Sequence, residues 1–285
     1  MSTYLADAAE NRSVTGRSAV FTYRRLGPHG GVPLVLLHRF RGTIDWWDAE
    51  FLDYLAADHD VIVFDNVGIG YSSGEPRDSV EGFAEGAIEF IEALGMPTVD
   101  LLGWSLGGIV AQEVARRRPE LVRKLVVAGS APGGQIPDAP ALSEEVVRIM
   151  TKPEADADDL LYLFYPATDS ARAAGFDHLA KVSKRLAAGG PAVSEKAAMG
   201  QFAAIGQVLS VPFDTVRSNL EAIKQPVLYA NGVHDVMIPA LASYVAVQHL
   251  DSAILVLYSD AGHAFLFQHA RAFATEVTNF LAAAY

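Results

Sequence analysis

Cysteine is absent from the 285 residues. That excludes disulfides, thiolate metal sites and a cysteine nucleophile, and leaves oxygen nucleophiles as the catalytic option. Basic charge is also scarce: 22 Lys and Arg face 34 Asp and Glu, a formal net charge of −12. Such a surface gains nothing from phosphate backbones or anionic lipid, so neither nucleic acid nor a membrane is an expected partner. No apolar run approaches the length that spans a bilayer. The N-terminal stretch has neither the basic start nor the apolar run of a signal peptide, which makes a cytoplasmic location the default expectation. Internal repeats and low-complexity tracts are lacking too. What is present is ordinary globular usage, 51% hydrophobic and 20% charged, enough to build one large core.

Short, nearly continuous apolar runs recur at 32–38, 60–65, 99–104, 123–128, 226–230 and 253–258. They read as parallel strands covered on both faces. Helical patterns lie between them. Val80, Phe83, Ala87, Ile88, Ile91 and Leu94 share one stripe, with Asp78 as the expected N-cap and Gly95 as the stop; Phe273, Val277, Phe280 and Leu281 form another. The fold class is therefore α/β, a mostly parallel, doubly wound sheet. The rhythm breaks once. From about Pro132 to Glu221 there is no strand pattern, only helical stretches at 143–150, 154–165, 170–187 and 194–209, punctuated by Pro153, Pro166 and Gly189-Gly190-Pro191. The expected organisation is a core of residues 1–131 and 222–285 with an inserted helical cap, 132–221, over the sheet edge where open α/β sheets bind ligands.

Gly103-Trp104-Ser105-Leu106-Gly107 follows one strand and precedes the helical pattern of Ile109, Val110 and Val114. As a string this is weak evidence, since glycine and serine are common. On a tight strand-to-helix turn it is strong, because small neighbours let the chain bend sharply, expose the serine hydroxyl and aim helix amides at it. A serine needs a base, and the base needs an orienting acid. Of the eight histidines, His263 lies in the loop after the last strand, at the same sheet edge as Ser105. His29 and His59 sit in polar turns, and His178, His249 and His269 within helical patterns. The acid is Asp235, in the loop after the strand at 226–230; Asp260 is its rival, although beside His263 it reads as a turn former. His234 is incidental. Gly68-Ile69-Gly70 fails as a dinucleotide motif because residue 73 is serine and no helix starts there. No P-loop lysine and no HExxH or paired Cys/His spacing occurs, so neither cofactor nor metal is expected. The run Arg116, Arg117, Arg118 fits the dipole at a helix C-terminus.

The order Ser, Asp, His with these strand-end placements resembles the α/β-hydrolase superfamily over nearly the whole chain, and within it the esterase, lactonase and perhydrolase group. Two further segments are similar: VLLHRFRG at 35–42 to the family's H-G-x-x-G loop, and DNVGIGYSSG at 65–74 to its D-x-x-G-x-G-x-S segment. The resemblance implies a cofactor-free serine esterase or lactonase acting on a small molecule through an acyl-enzyme. It implies an oxyanion hole from the backbone N–H groups of Phe40 and Leu106. His38, Arg39 and Trp104 are the expected substrate contacts, and homo-oligomerisation is left open. Carbon–carbon bond hydrolysis, perhydrolysis and a non-catalytic receptor role stay as alternatives; aspartate-type relatives are disfavoured because residue 105 is serine.

Arg39 stands at the second position of the H-G-x-x-G pattern, where the family has glycine, while Gly42 keeps the last. Two readings follow: a guanidinium in the pocket that pairs with a substrate carboxylate, or one turned outward or paired with Asp45 or Asp48. The second is favoured, because most arginines are exposed.

Overall fold

The computed structural model describes residues 4–284. Its strands are β1 (Arg12–Thr15), β2 (Val20–Leu26), β3 (Leu34–Leu37), β4 (Val61–Phe64), β5 (Val99–Trp104), β6 (Val122–Ala128), β7 (Val227–Gly232) and β8 (Ala253–Tyr258). They form one sheet in the order β1-β2-β4-β3-β5-β6-β7-β8. From β4 to β8 every neighbouring pair is parallel, while β1 with β2 and β2 with β4 are antiparallel. All six expected strands are present. The added pair, β1 and β2, has charged residues that hide the strand pattern in the sequence. Arg24 and Arg25 of β2 are instead neutralised by Asp45 at 2.5 Å and Asp60 at 2.5 Å.

Alternation along the central strands divides the core. Leu34, Leu36, Val63, Leu102, Val126 and Leu228 point into one buried layer, and Val35, Ile62, Leu101, Val127, Val227 and Tyr229 into the other. Each such side chain contributes about 1.5–3 kcal/mol by leaving water, which fixes the register on both faces.

The helices are α1 (Leu5–Ala8), α2 (Ala49–Ala56), α3 (Val80–Ala93), α4 (Leu106–Arg117), α5 (Glu144–Met150), α6 (Ala157–Phe164), α7 (Asp169–Leu186), α8 (Glu195–Leu209), α9 (Phe213–Glu221), α10 (Ala240–Val247), α11 (Phe265–Gln268) and α12 (Ala270–Ala282). The N-cap of α3 is Ser79, not Asp78: its Oγ accepts from Gly82 N at 3.1 Å. Gly95, at φ +67°, ends the helix as expected. Helices α5 to α9 lie between β6 and β7 with no strand among the described residues, so the sheet carries a helical insertion. Ser143, Asp156, Thr168 and Ser194 cap α5, α6, α7 and α8, each worth about 1 kcal/mol, which explains where these helices begin. Helix α9, beyond the expected helical stretches, has no side-chain cap to mark its start in the sequence. Arg116, Arg117 and Arg118 also pair with Glu113, Glu85, Glu92 and Glu120.

Candidate active site

Ser105 sits between the last residue of β5 and the first of α4 at φ 58°, ψ −123°. A non-glycine residue there stores roughly 1–3 kcal/mol of strain, which the surroundings must over-determine. They do so by hydrogen bonds: Ser105 N donates to Ala128 O at 3.0 Å, while Ser105 O accepts from Gly108 N at 2.8 Å and Ser130 Oγ at 2.7 Å. The flanking glycines are obligatory. A Cβ on Gly103 would stand 2.2 Å from Gly107 O, and one on Gly107 2.2 Å from Leu37 O.

His263 and Asp235 meet across touching loops, since a Cβ on Gly232 would lie 2.2 Å from Gly262 O. His263 Nδ1 is 2.7 Å from Asp235 Oδ2, and the two side chains are 1% and 0% exposed. The other carboxylate oxygen, Oδ1, accepts from Met237 N and Ile238 N at 2.9 Å each, so the acid is fixed on both sides. Trp104 Nε1 donates to His263 O at 3.1 Å, and Ala264 N donates to Phe164 O at 3.0 Å, tying the histidine loop to the sheet and to the insertion. The rival acid is elsewhere: Asp260 is 66% exposed and pairs with His269 at 2.9 Å. His29 lies against Asp60, His59 against Thr278 and His178 against Asp48; His234 is exposed.

Ser105 and His263 line a cavity of about 600 Å³, with Phe40 and Leu106 on its wall and the insertion as its roof. Neither the Ser105 hydroxyl nor the N–H groups of Phe40 and Leu106 make a hydrogen bond among the described residues, so all three are free for a ligand. Of the apolar run in α6, Leu160, Leu163 and Phe164 line the cavity, Leu161 is packed inside and Tyr162 faces outward.

Two expected substrate contacts need correction. Trp104 is fully buried and does not line the cavity; its ring packs against His263 at 5.6 Å. His38 is turned away as well, its Nδ1 accepting from Arg39 N at 2.8 Å and its ring resting on Trp47. Burial and the Arg39 charge hold that imidazole well below its ordinary range. Both residues support the site from behind.

Arg39 overturns the outward-facing reading. It is 7% exposed and lines the cavity. Asp45 is engaged by Arg24 and Tyr71, and Asp48 by His178 and the N-terminus of α2. Arg39 Nη1 donates to Phe40 O at 2.6 Å, and the guanidinium carbon lies 4.7, 5.6 and 5.1 Å from the ring centres of Trp46, Trp104 and Phe164. Burial, helped by the Arg41 charge, pulls the group down to about 9, which leaves it charged at pH 7. Arg41 was not singled out by sequence. At φ 55° it sends Nη1 to Lys152 O at 2.5 Å and Pro153 O at 3.2 Å, tying the loop to the insertion.

Residues 32–270 match the family model described as alpha/beta hydrolase fold. The chain belongs to that family. It is 34% identical to the 2-hydroxymuconate semialdehyde hydrolase of Pseudomonas putida, over 79% of this chain and 77% of that one. It is 26% identical to the serine hydrolase BPHL of Mus musculus, over 78% and 69%. Among solved structures, an alpha/beta hydrolase fold protein from Chitinophaga pinensis superposes with a TM-score of 0.87 at 29% identity, covering 98% of this chain and 99% of that one. These relatives support hydrolase activity for the chain.

Proposed function

We propose that the protein is a serine hydrolase that cleaves a carboxylic ester or lactone of a small, largely apolar molecule through an acyl-enzyme. The observation that carries this reading is the Asp235–His263 hydrogen bond, buried beside a strained serine that opens into the same cavity. With Nδ1–H donated to Asp235, His263 Nε2 is the ring nitrogen left to accept the Ser105 proton. Ser105 Oγ adds to the carbonyl, and the resulting oxyanion takes the unspent N–H groups of Phe40 and Leu106. His263 returns the proton to the departing alcohol. Water, deprotonated by the same imidazole, then releases the acid. In a lactone the alcohol stays tethered to the acyl group.

A second reading has one specific support. The relative from Pseudomonas putida is named as a 2-hydroxymuconate semialdehyde hydrolase, so cleavage of a carbon–carbon bond beside a carbonyl is the main competitor. A fluorophosphonate probe should label Ser105, and p-nitrophenyl esters should be hydrolysed by the wild type and not by Ser105→Ala. Labelling at another residue refutes the nucleophile. Turnover of a vinylogous diketone with no ester turnover refutes the ester reading, and ligand binding without any turnover makes the protein a receptor.

A further inference from the structure

Resting on the hydrolase reading, we infer that Arg39 forms a subsite for a carboxylate carried by the substrate itself, so that the preferred esters or lactones are acidic ones. The cavity wall carries Arg39 and Arg41 and, among its lining residues, no aspartate or glutamate. Arg41 gives Nη1 to the carbonyls of Lys152 and Pro153 and leaves its own Nε unpartnered. Arg39 is the more deeply buried of the two. Its Nε is buried with no hydrogen-bond partner, Nη1 reaches only the carbonyl of the next residue, and no carboxylate of the described residues pairs with it.

A guanidinium removed from water without a counter-anion is costly, and a protein with a −12 surface has acids in plenty with which to neutralise it. Arg24, Arg25 and Arg123 are all neutralised that way, by Asp45, Asp60 and Asp100. Arg39 is held instead by aromatic faces, which orient its plane and leave donors unsatisfied. That is a preorganised fork. A carboxylate fits it with two parallel N–H···O bonds.

The experiment compares substrates of equal length with one leaving group: mono-p-nitrophenyl adipate, with a distal carboxylate, and p-nitrophenyl hexanoate, with a methyl in its place. A second pair, 4-(hexanoyloxy)benzoate and phenyl hexanoate, puts the charge on the leaving side. In the wild type kcat/KM should favour the charged member of one pair, and Arg39→Gln should lower that charged-to-neutral ratio by about ten- to a hundred-fold, as for a lost charge-assisted hydrogen bond. Arg39→Lys, which keeps the charge and loses the fork, should fall between. An Arg39 that only shapes the loop lowers both members alike; an unchanged ratio, or no preference in either wild-type pair, overturns the proposal. Free adipate and adipamide titrated into Ser105→Ala protein, with and without Arg39→Gln, give a readout that needs no turnover. A preference for adipate that Arg39→Gln removes supports the subsite even where the ester reading has failed, and a preference that survives Arg39→Gln, or no preference, overturns it.

Discussion

Asp235→Asn tests the proposed catalytic dyad most sharply, because the structure dictates which way the new amide must face. Oδ1 of Asp235 accepts two backbone N–H groups, from Met237 and Ile238, and Oδ2 meets His263 Nδ1 at 2.7 Å. An asparagine can satisfy the two donors only with its carbonyl oxygen at the Oδ1 position. Its NH₂ is then presented to Nδ1, which must become an acceptor, so the proton moves to Nε2. That is the nitrogen that has to receive the Ser105 proton. The tautomer is wrong while every hydrogen bond survives. The same Asp-to-Asn exchange in a Ser-His-Asp protease lowers kcat by roughly 10⁴-fold, about 5.5 kcal/mol, and a similar loss is expected here. The assay is p-nitrophenyl hexanoate hydrolysis at pH 7 beside a urea melt, in which Asp235→Asn should stay near wild type. Asp235→Ala, by contrast, strands two buried N–H groups and should cost about 1–3 kcal/mol of stability for each. Asp260→Asn should leave kcat almost untouched, since that acid is exposed and serves His269. An Asp235→Asn enzyme within ten-fold of wild type, or an Asp260→Asn enzyme as crippled as predicted for Asp235→Asn, would refute the assignment.

Two stability predictions follow from buried carboxylates outside the dyad. Asp48 caps α2 through Glu50 N and Phe51 N and holds His178 of α7 at 3.2 Å, so Asp48→Ala should lower the unfolding free energy by about 2–3 kcal/mol in urea. The larger penalty of a stranded charge is avoided because burial, outweighing the Asp48 hydrogen bond, holds the His178 imidazole below its ordinary range; Asp48→Asn, which keeps the cap, should recover most of the loss. Asp65 is pushed up to about 7 by burial, against hydrogen bonds from Tyr71 N and Ile44 N. Its folded value lies above the unfolded value of about 3.9, so the native state binds more protons between them and the Asp65 contribution to stability falls as pH rises from about 4 to about 7. The advantage of wild type over Asp65→Asn in thermal melts should therefore shrink between pH 5 and pH 8; a constant or growing advantage refutes the shift.

What could be read from sequence was whatever local pattern and chain order encode. Six apolar runs became strands β3 to β8, and the turn after β5 placed Ser105, because a serine between glycines at a strand-to-helix junction leaves few conformations. Asp235 and His263 were legible for the same reason: each follows a strand end at one edge of the sheet. What stayed hidden depends on partners far away in sequence. Strand β2 contains two arginines and looks unsuited to a sheet until Asp45 and Asp60 are brought beside them. Trp104 precedes the serine and still cannot touch a ligand, since strand alternation turns its ring to the opposite side, under His263. The place of Arg39 is not legible from composition, because the scarcity of buried arginines says nothing about one enclosed by aromatic rings.

The loop from His38 to Gly42 shows how a charged residue can stand where the family pattern has glycine. Gly42 cannot change, since a Cβ there would lie 1.8 Å from His38 Nδ1. Position 39 has room because its side chain leaves the loop and lies across Trp46, Trp104 and Phe164. Its backbone N–H is spent on His38 Nδ1 and its Nη1 on the carbonyl of Phe40, so the arginine braces the peptide on either side of the proposed oxyanion donor. The N–H of Phe40 itself makes no bond within the described residues. Arg39 therefore leaves that donor available and, by fixing the adjoining carbonyl, limits how far the peptide can swing. The same contacts couple the two proposals: losing Arg39 should weaken carboxylate recognition and also loosen the Phe40 peptide, which is why the charged-to-neutral ratio, in which a loosened peptide cancels, is the quantity that isolates the subsite.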